Sequence, residues 1–281
     1  MSGRGGIDAC DAWDLVRSLS ARRPPAHFPL TLIARCGTHL TIEADGTWTA
    51  DGAVGAQARE ILDLYLPLCT EPEGYVIAQF GQSLDGRIAT ESGASRYITG
   101  PDDLLHLHRL RALADAVIVG AGTAIADNPA LTVRNTDGAN PVRVIIDTNA
   151  RTPDDLGVFH DGAATTLLLH ADDHPRSPPG DAECIPVPRN DEGLPPQGIL
   201  AQLAARGLRR VLVEGGGITI SRFLSAQLID RLHVTITPMI IGSGRPAFSL
   251  PAIDTLDQAL RPAWRRFDLG EDILFDLDMR A

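Results

Sequence analysis

The chain has 281 residues, a formal net charge of -11 and 44% apolar residues. This length suits one large α/β domain, with or without a smaller appendage. The acidic balance argues against a general nucleic-acid-binding surface, and no apolar run reaches the ~18 residues that a membrane helix needs.

All 25 basic residues are arginine. Any phosphate must therefore be held by arginine, backbone N–H groups or hydroxyls, and no lysine is present to act as a base or Schiff-base former. The N-terminal residues Met1-Ser-Gly-Arg-Gly-Gly-Ile-Asp8 lack the apolar segment of a secretory signal. Cys10, Cys36, Cys69 and Cys184 are too far apart for Cys-x-x-Cys spacing. They read as free thiols, and the expected location is cytoplasmic.

Residues 9–22 place Trp13, Val16 and Leu19 on one helical face, and Arg22-Arg-Pro-Pro-Ala26 ends that helix. Phe28 to Ala34 and Leu40 to Thr49 alternate like strands, with a turn at Ala44-Asp-Gly-Thr47. Residues 56–68 carry the apolar stripe Ile61, Leu64, Tyr65 and Leu68, with Pro67 and Glu71-Pro-Glu-Gly74 marking the exit. Residues 1–72 thus read as a small α/β appendage without a chemical constellation. They suit a structural cap or dimer element, or alternatively a gate over a substrate site.

Residues 73–281 form the expected main domain, in which strands and helices alternate as in a mainly parallel sheet with crossover helices. Strands are expected at 75–80, 116–119, 142–147, 164–169, 183–187 and 210–213, and helices at 101–114, 121–126, 196–206 and 217–227. Ala171–Gly180 reads as a loop. The rhythm then changes: Arg231 to Pro238 alternates, and Phe267 with Asp272–Asp278 suggests a closing antiparallel pair.

The polar chemistry gathers where strands end, which is where open α/β sheets bind ligands. Gly215-Gly-Gly217 follows Val211-Leu-Val-Glu214 and opens a helix. Such a loop lets backbone N–H groups approach a phosphate, although a tight strand-to-helix turn is the commoner reason for such glycines. Gly120-Ala-Gly-Thr123 is a second such turn. Arg111 and Arg134 have the fork geometry for a phosphate monoester, against the commoner solvated role. Asp127 and Glu214 could bind sugar hydroxyls or act as acid or base if desolvated; for Asp127, before Asn-Pro, turn formation is the simpler reading. Asp85 in Ser83-Leu-Asp-Gly86 reads as a turn residue. His106 and His108 lie two apart on a helix and make a poor metal pair. No metal is expected.

Taken in order, Ser83-Leu-Asp-Gly-Arg-Ile-Ala89, Ser95-Arg-Tyr-Ile-Thr-Gly100, Leu110-Arg-Ala112, Asp115 to Thr123, Asp127-Asn-Pro-Ala-Leu-Thr-Val-Arg134, Pro141 to Asp147 and Val213 to Gly217 resemble the reductase domain of bacterial riboflavin biosynthesis. The resemblance spans roughly residues 74–280. It implies a dihydrofolate-reductase-like fold, usually dimeric, that reduces the ribosylamino group of a pyrimidine 5′-phosphate to ribitylamino with NADPH. The implied substrate is 5-amino-6-(5-phosphoribosylamino)uracil; the alternatives are another heterocycle or a non-catalytic nucleotide-binding module. The resemblance places Gly81, Tyr97, Thr123, Asp127 and Thr148 around NADPH, with Gly216, Gly217, Ile218, Thr219 and Arg222 at its phosphates. It places Ser95, Arg111, Leu131 and Arg134 on the substrate and Glu214 on the ribose; the catalytic proton would come from Asp127, Glu214 or water. The family often has lysine at the position of Gln79, which cannot carry charge. The zinc motifs of the deaminase fused in many bacterial members are absent from this sequence, so a stand-alone reductase is expected.

Overall fold

The computed structural model describes residues 6–22, 27–95 and 98–280. The chain divides into two compact units, Met1–Gly74 and Tyr75–Ala281.

In the first unit α1 (Ala9–Ala21) precedes a three-stranded antiparallel sheet of β1 (Leu30–Ile33), β2 (His39–Ile42) and β3 (Trp48–Ala50), and α2 (Ala56–Cys69) closes it. Asp8 caps α1 by accepting from the Asp11 N–H, which satisfies one of the open donors of the first turn. The two helices pack through Trp13 and Tyr65, edge to face at 5.5 Å between ring centroids. Pro67 does not end α2 but lies inside its last turn, at the loss of the one bond that an N–H there would make to the Asp63 carbonyl.

The second unit has β4 (Tyr75–Ser83), β5 (Arg87–Thr90), α3 (Pro101–Leu113), β6 (Ala116–Gly120), α4 (Ala121–Asp127), β7 (Val142–Ile146), β8 (Thr166–Ala171), β9 (Glu183–Val187), α5 (Pro196–Ala204), β10 (Arg210–Glu214), α6 (Gly217–Ser225), β11 (Arg231–Thr237), β12 (Gly244–Pro246), β13 (Ala263–Leu269) and β14 (Asp272–Asp278). Nine strands make one sheet in the order β13-β14-β11-β4-β10-β6-β7-β8-β9. Pairings from β11 through β9 are parallel, whereas β14 pairs antiparallel with both β11 and β13. The expected parallel core and antiparallel C-terminal pair are both present. The inner strands are continuous apolar runs because each is covered on both faces. On one face Ala78, Ile118, Val144 and Val213 pack with Ile199, Leu203, Ile220 and Phe223 from α5 and α6.

The other face carries a polar row. In register across five neighbouring strands stand Glu214, Gln79, His233, Asp276 and Arg265. Helix α3 lies against this row and supplies partners for three of its members. Arg111 meets Glu214, Asp103 meets Gln79, and His106 Nε2 lies 3.0 Å from His233 Nδ1. Burial would raise the Asp276 carboxyl, but hydrogen bonding to His233 and the charges of His233 and Arg231 hold it well below the usual carboxylate range. Burial, with His233 and Arg109 adding to it, pushes His106 well below its ordinary value and keeps it neutral.

Strand 164–169 of the sequence reading begins two residues later and runs to Ala171. The Ala164 carbonyl instead accepts from Arg143, whose buried guanidinium also reaches Val158 O, Thr166 Oγ1 and Asp161. The sequence reading missed the ribbon of β5 and β12, two short strands from distant parts of the chain whose register shifts at Arg245/Pro246. No helix among the described residues is long and apolar enough to cross a membrane.

Candidate active site

The carboxyl ends of β4, β6, β7 and β10 open into one cleft of ≈ 2170 Å³ within the second unit. Gly81, Ser95, Arg111, Thr123, Asp127, Leu131, Arg134, Thr148, Glu214, Gly216, Gly217, Ile218, Thr219 and Arg222 all line it. Tyr97 lies outside the described residues.

One wall is glycine. Gly215 and Gly216 both have positive φ, at 65° and 38°, and turn β10 into α6. The second glycine turn lies directly opposite: a Cβ on Gly216 would stand 3.0 Å from Thr123 Oγ1, and one on Gly120 would stand 2.7 Å from Thr219 Oγ1. The N–H groups that open α6 and the Arg222 side chain, which also donates to Leu194 O, lie on this wall. Bare backbone, a helix N-terminus and a guanidinium fit the phosphates of a dinucleotide. Gly81 fills a tight spot beside this region, where a Cβ would come within 2.3 Å of the Thr99 methyl.

The other wall is charged. Arg111 Nε and Nη2 donate to the two oxygens of Glu214, each at 2.7 Å, and Nη1 donates to Thr132 O at 3.0 Å. Burial disfavours the Arg111 cation, but the charge and hydrogen bonds of Glu214 outweigh it and hold the guanidinium above its ordinary value. Arg111, expected on the substrate phosphate, and Glu214, expected on its ribose, are thus joined to each other. Each is first the other's buried partner. Arg134 is exposed at the cleft; Nη1 donates to Thr132 Oγ1 at 2.6 Å, and its backbone N–H donates to His108 Nδ1 at 2.9 Å. Burial, then the charges of Arg111 and Arg134, push His108 down to about 4, so the ring is neutral and can accept that bond. Leu131 between them is buried with φ 52°, a conformation that costs a branched side chain about 1–2 kcal/mol.

Asp127 ends α4 and is exposed. The condition set for it as an acid, desolvation, is not met. Asp85 is a turn residue: its carboxylate accepts from Ser83 Oγ, Ile241 N and Gly242 N, which lower it to about 2.

The sequence reading missed Asp103. It is 4% exposed and lines the cleft beside Gln79 and Thr99. Thr235 Oγ1 donates to its Oδ1 at 2.6 Å and Gln79 Nε2 at 3.2 Å. Burial raises this carboxyl and the nearby Asp272 charge raises it further, against the hydrogen bonds of Thr235, Thr99 and Gln79. One signal was available: Gln79 is a polar residue inside an apolar strand run, and a buried amide demands a partner.

A mainly parallel sheet closed by antiparallel C-terminal strands, with a glycine-walled cleft at its carboxyl edge, defines a dihydrofolate-reductase-like α/β enzyme fold. The chain belongs to the RibD C-terminal domain family, which matches residues 74–269 and comprises pyrimidine reductases of riboflavin biosynthesis. The 2,5-diamino-6-ribosylamino-4(3H)-pyrimidinone 5′-phosphate reductase of Methanothermobacter thermautotrophicus is 36% identical over 219 residues, which cover 74% of this chain and 99% of that protein. The riboflavin biosynthesis protein RibD of Bacillus amyloliquefaciens is 35% identical over 219 residues, 76% of this chain but 58% of that protein. Among solved structures, the deaminase/5-amino-6-(5-phosphoribosylamino)uracil reductase of Thermotoga maritima superposes with a TM-score of 0.61 at 27% identity, covering 81% of this chain and 63% of that one. Reductases of this family typically use a reduced nicotinamide dinucleotide.

Proposed function

We propose that this chain reduces the ribosylamino group of a pyrimidine 5′-phosphate to ribitylamino, with NADPH as the reductant. The observation that carries this reading is that the glycine turn of 215–217 and the arginines at 111 and 134 line one cleft. Gly81, Thr123, Thr148, Gly216, Gly217, Ile218, Thr219 and Arg222 would hold the dinucleotide, which supplies hydride when bound. Arg134 would take the 5′-phosphate. Arg111 would support it through its remaining N–H groups, and Glu214, fixed by Arg111, would face the sugar. Ser95 and Leu131 complete the substrate side, and Asp127 lies at the cofactor side. The sugar ring must open so that C1′ becomes an imine carbon before it accepts hydride.

The uracil compound is the substrate first expected. The archaeal relative named for the 2,5-diamino ring favours a second reading, in which reduction precedes deamination. Following NADPH oxidation with each pyrimidine separates the two, and oxidation with neither would end the proposal. Arg134→Ala should raise KM for the phosphorylated substrate by about 10–100-fold, the worth of a charged hydrogen bond, with kcat little changed. An unaltered KM would remove Arg134 from the phosphate. A homodimer belongs to the same reading. β13 is an edge strand of the sheet, and its Trp264 is 62% exposed. Sedimentation as a monomer would remove that element.

A further inference from the structure

Hydride transfer to an imine leaves a nitrogen that needs a proton, and neither carboxylate expected from the sequence is well placed to give one. Both oxygens of Glu214 accept from Arg111, and Asp127 stands in solvent. We propose that the Asp103 carboxyl, held between Gln79 and Thr235 in the cleft wall, donates the proton to the substrate nitrogen as C1′ takes hydride. This inference rests on the reductase reading above.

Three features of the site support it. First, Asp103 reaches the cleft from the first turn of α3 while the rest of it is enclosed by β4 and β11. Second, its hydrogen-bond partners are an amide and hydroxyls, none of which carries charge. An ammonium at position 79 would hold the carboxyl ionised; the Gln79 amide orients it without doing so. Third, among the described residues no cation on the elements packed around it pairs with its carboxylate. Asp272 on β14 is a like charge, and His106 in the next turn of α3 is neutral. His233 on β11 is engaged by Asp276 and His106. Burial and Asp272 both favour the protonated acid, the form that donates a proton.

The step balances as follows. In the opened substrate C1′ is doubly bonded to the exocyclic nitrogen. Hydride adds to C1′, the C=N π pair moves to nitrogen, and nitrogen takes the Asp103 proton. The product is a secondary amine, and Asp103 is left as a carboxylate that water reprotonates. Both electrons come with the hydride from the reduced nicotinamide dinucleotide.

The test is Asp103→Asn, which keeps the shape and the hydrogen-bonding capacity and removes the proton. We expect kcat to fall by about 10²–10⁴-fold, with NADPH affinity by nicotinamide fluorescence within about twofold of wild type. Wild-type kcat should decline as pH rises through the raised Asp103 value, because only the protonated acid donates, and the variant should lack that alkaline limb. A variant that keeps kcat within about threefold, or that keeps the limb, overturns the assignment. Wild-type turnover is the control: an inactive wild type defeats the reductase reading itself, whereas active wild type and active variant together defeat only Asp103. Should the variant not fold, a carboxyl-¹³C titration of the wild-type protein decides. An aspartate titrating above the ordinary range supports the proposal, and its absence overturns it.

Discussion

Arg111→Met should unfold this protein well below the wild-type melting temperature and abolish turnover. The methionine roughly keeps the bulk but leaves Glu214, 6% exposed, without the cation that meets both its oxygens. It also removes the donor to Thr132 O. Breaking a buried pair from one side costs about 3–5 kcal/mol, because the survivor is a charge without solvent or partner. For a unit of this size that is a fall in Tm of roughly 10 °C. The pairing also joins the last turn of α3 to the end of β10, so two walls of the cleft move apart when it is lost. Adding Glu214→Leu to Arg111→Met should restore much of the stability and none of the activity. Differential scanning calorimetry with an NADPH-oxidation assay reads both. A single variant that melts with wild type would mean that the Glu214 carboxyl finds water or another donor.

Gly216→Val should leave the fold in place and reduce NADPH affinity by at least about 100-fold. Gly216 caps α6 at φ 38° and ψ 101°, where a β-branched residue is a genuine outlier. Its Cβ would stand 3.0 Å from Thr123 Oγ1, so relief of strain must move the loop, Thr123 or both. Either movement breaks the facing of the two glycine turns, on which a bound phosphate depends. Titration by nicotinamide fluorescence measures the loss, and far-ultraviolet circular dichroism separates it from unfolding. Retained affinity would take the 215–217 turn out of the cofactor site.

The order of elements was legible because each inner strand is a short apolar run between turn residues. Ala116-Val-Ile-Val119 and Val211-Leu-Val213 could be little else, since parallel strands are buried on both faces. The β5–β12 ribbon was not legible. Arg87-Ile-Ala-Thr90 and Gly244-Arg-Pro246 are short and polar, and each becomes a strand only by meeting the other. The glycine turns announced themselves locally. Arg111 did not disclose its partner, because Glu214 lies 103 positions away and nothing in either segment points to the other. Asp103 was hidden by its own neighbourhood. An acid in the first turn after Gly100-Pro101 is what any helix start favours, so its sequence context explains it without reference to β4 or β11.

The polar row beneath α3 has a consequence for register. A helix seated on an apolar sheet can slip by a turn, about 5.4 Å, and still bury much the same surface. α3 has no such freedom. Asp103, His106 and Arg111 each meet a different complementary group, and a slipped helix would leave all three facing the interior without counterparts. An apolar row could match or exceed it in stability while being indifferent to position. The polar face therefore acts as a key cut for one seating, and that seating sets where the residues at the mouth of the cleft stand.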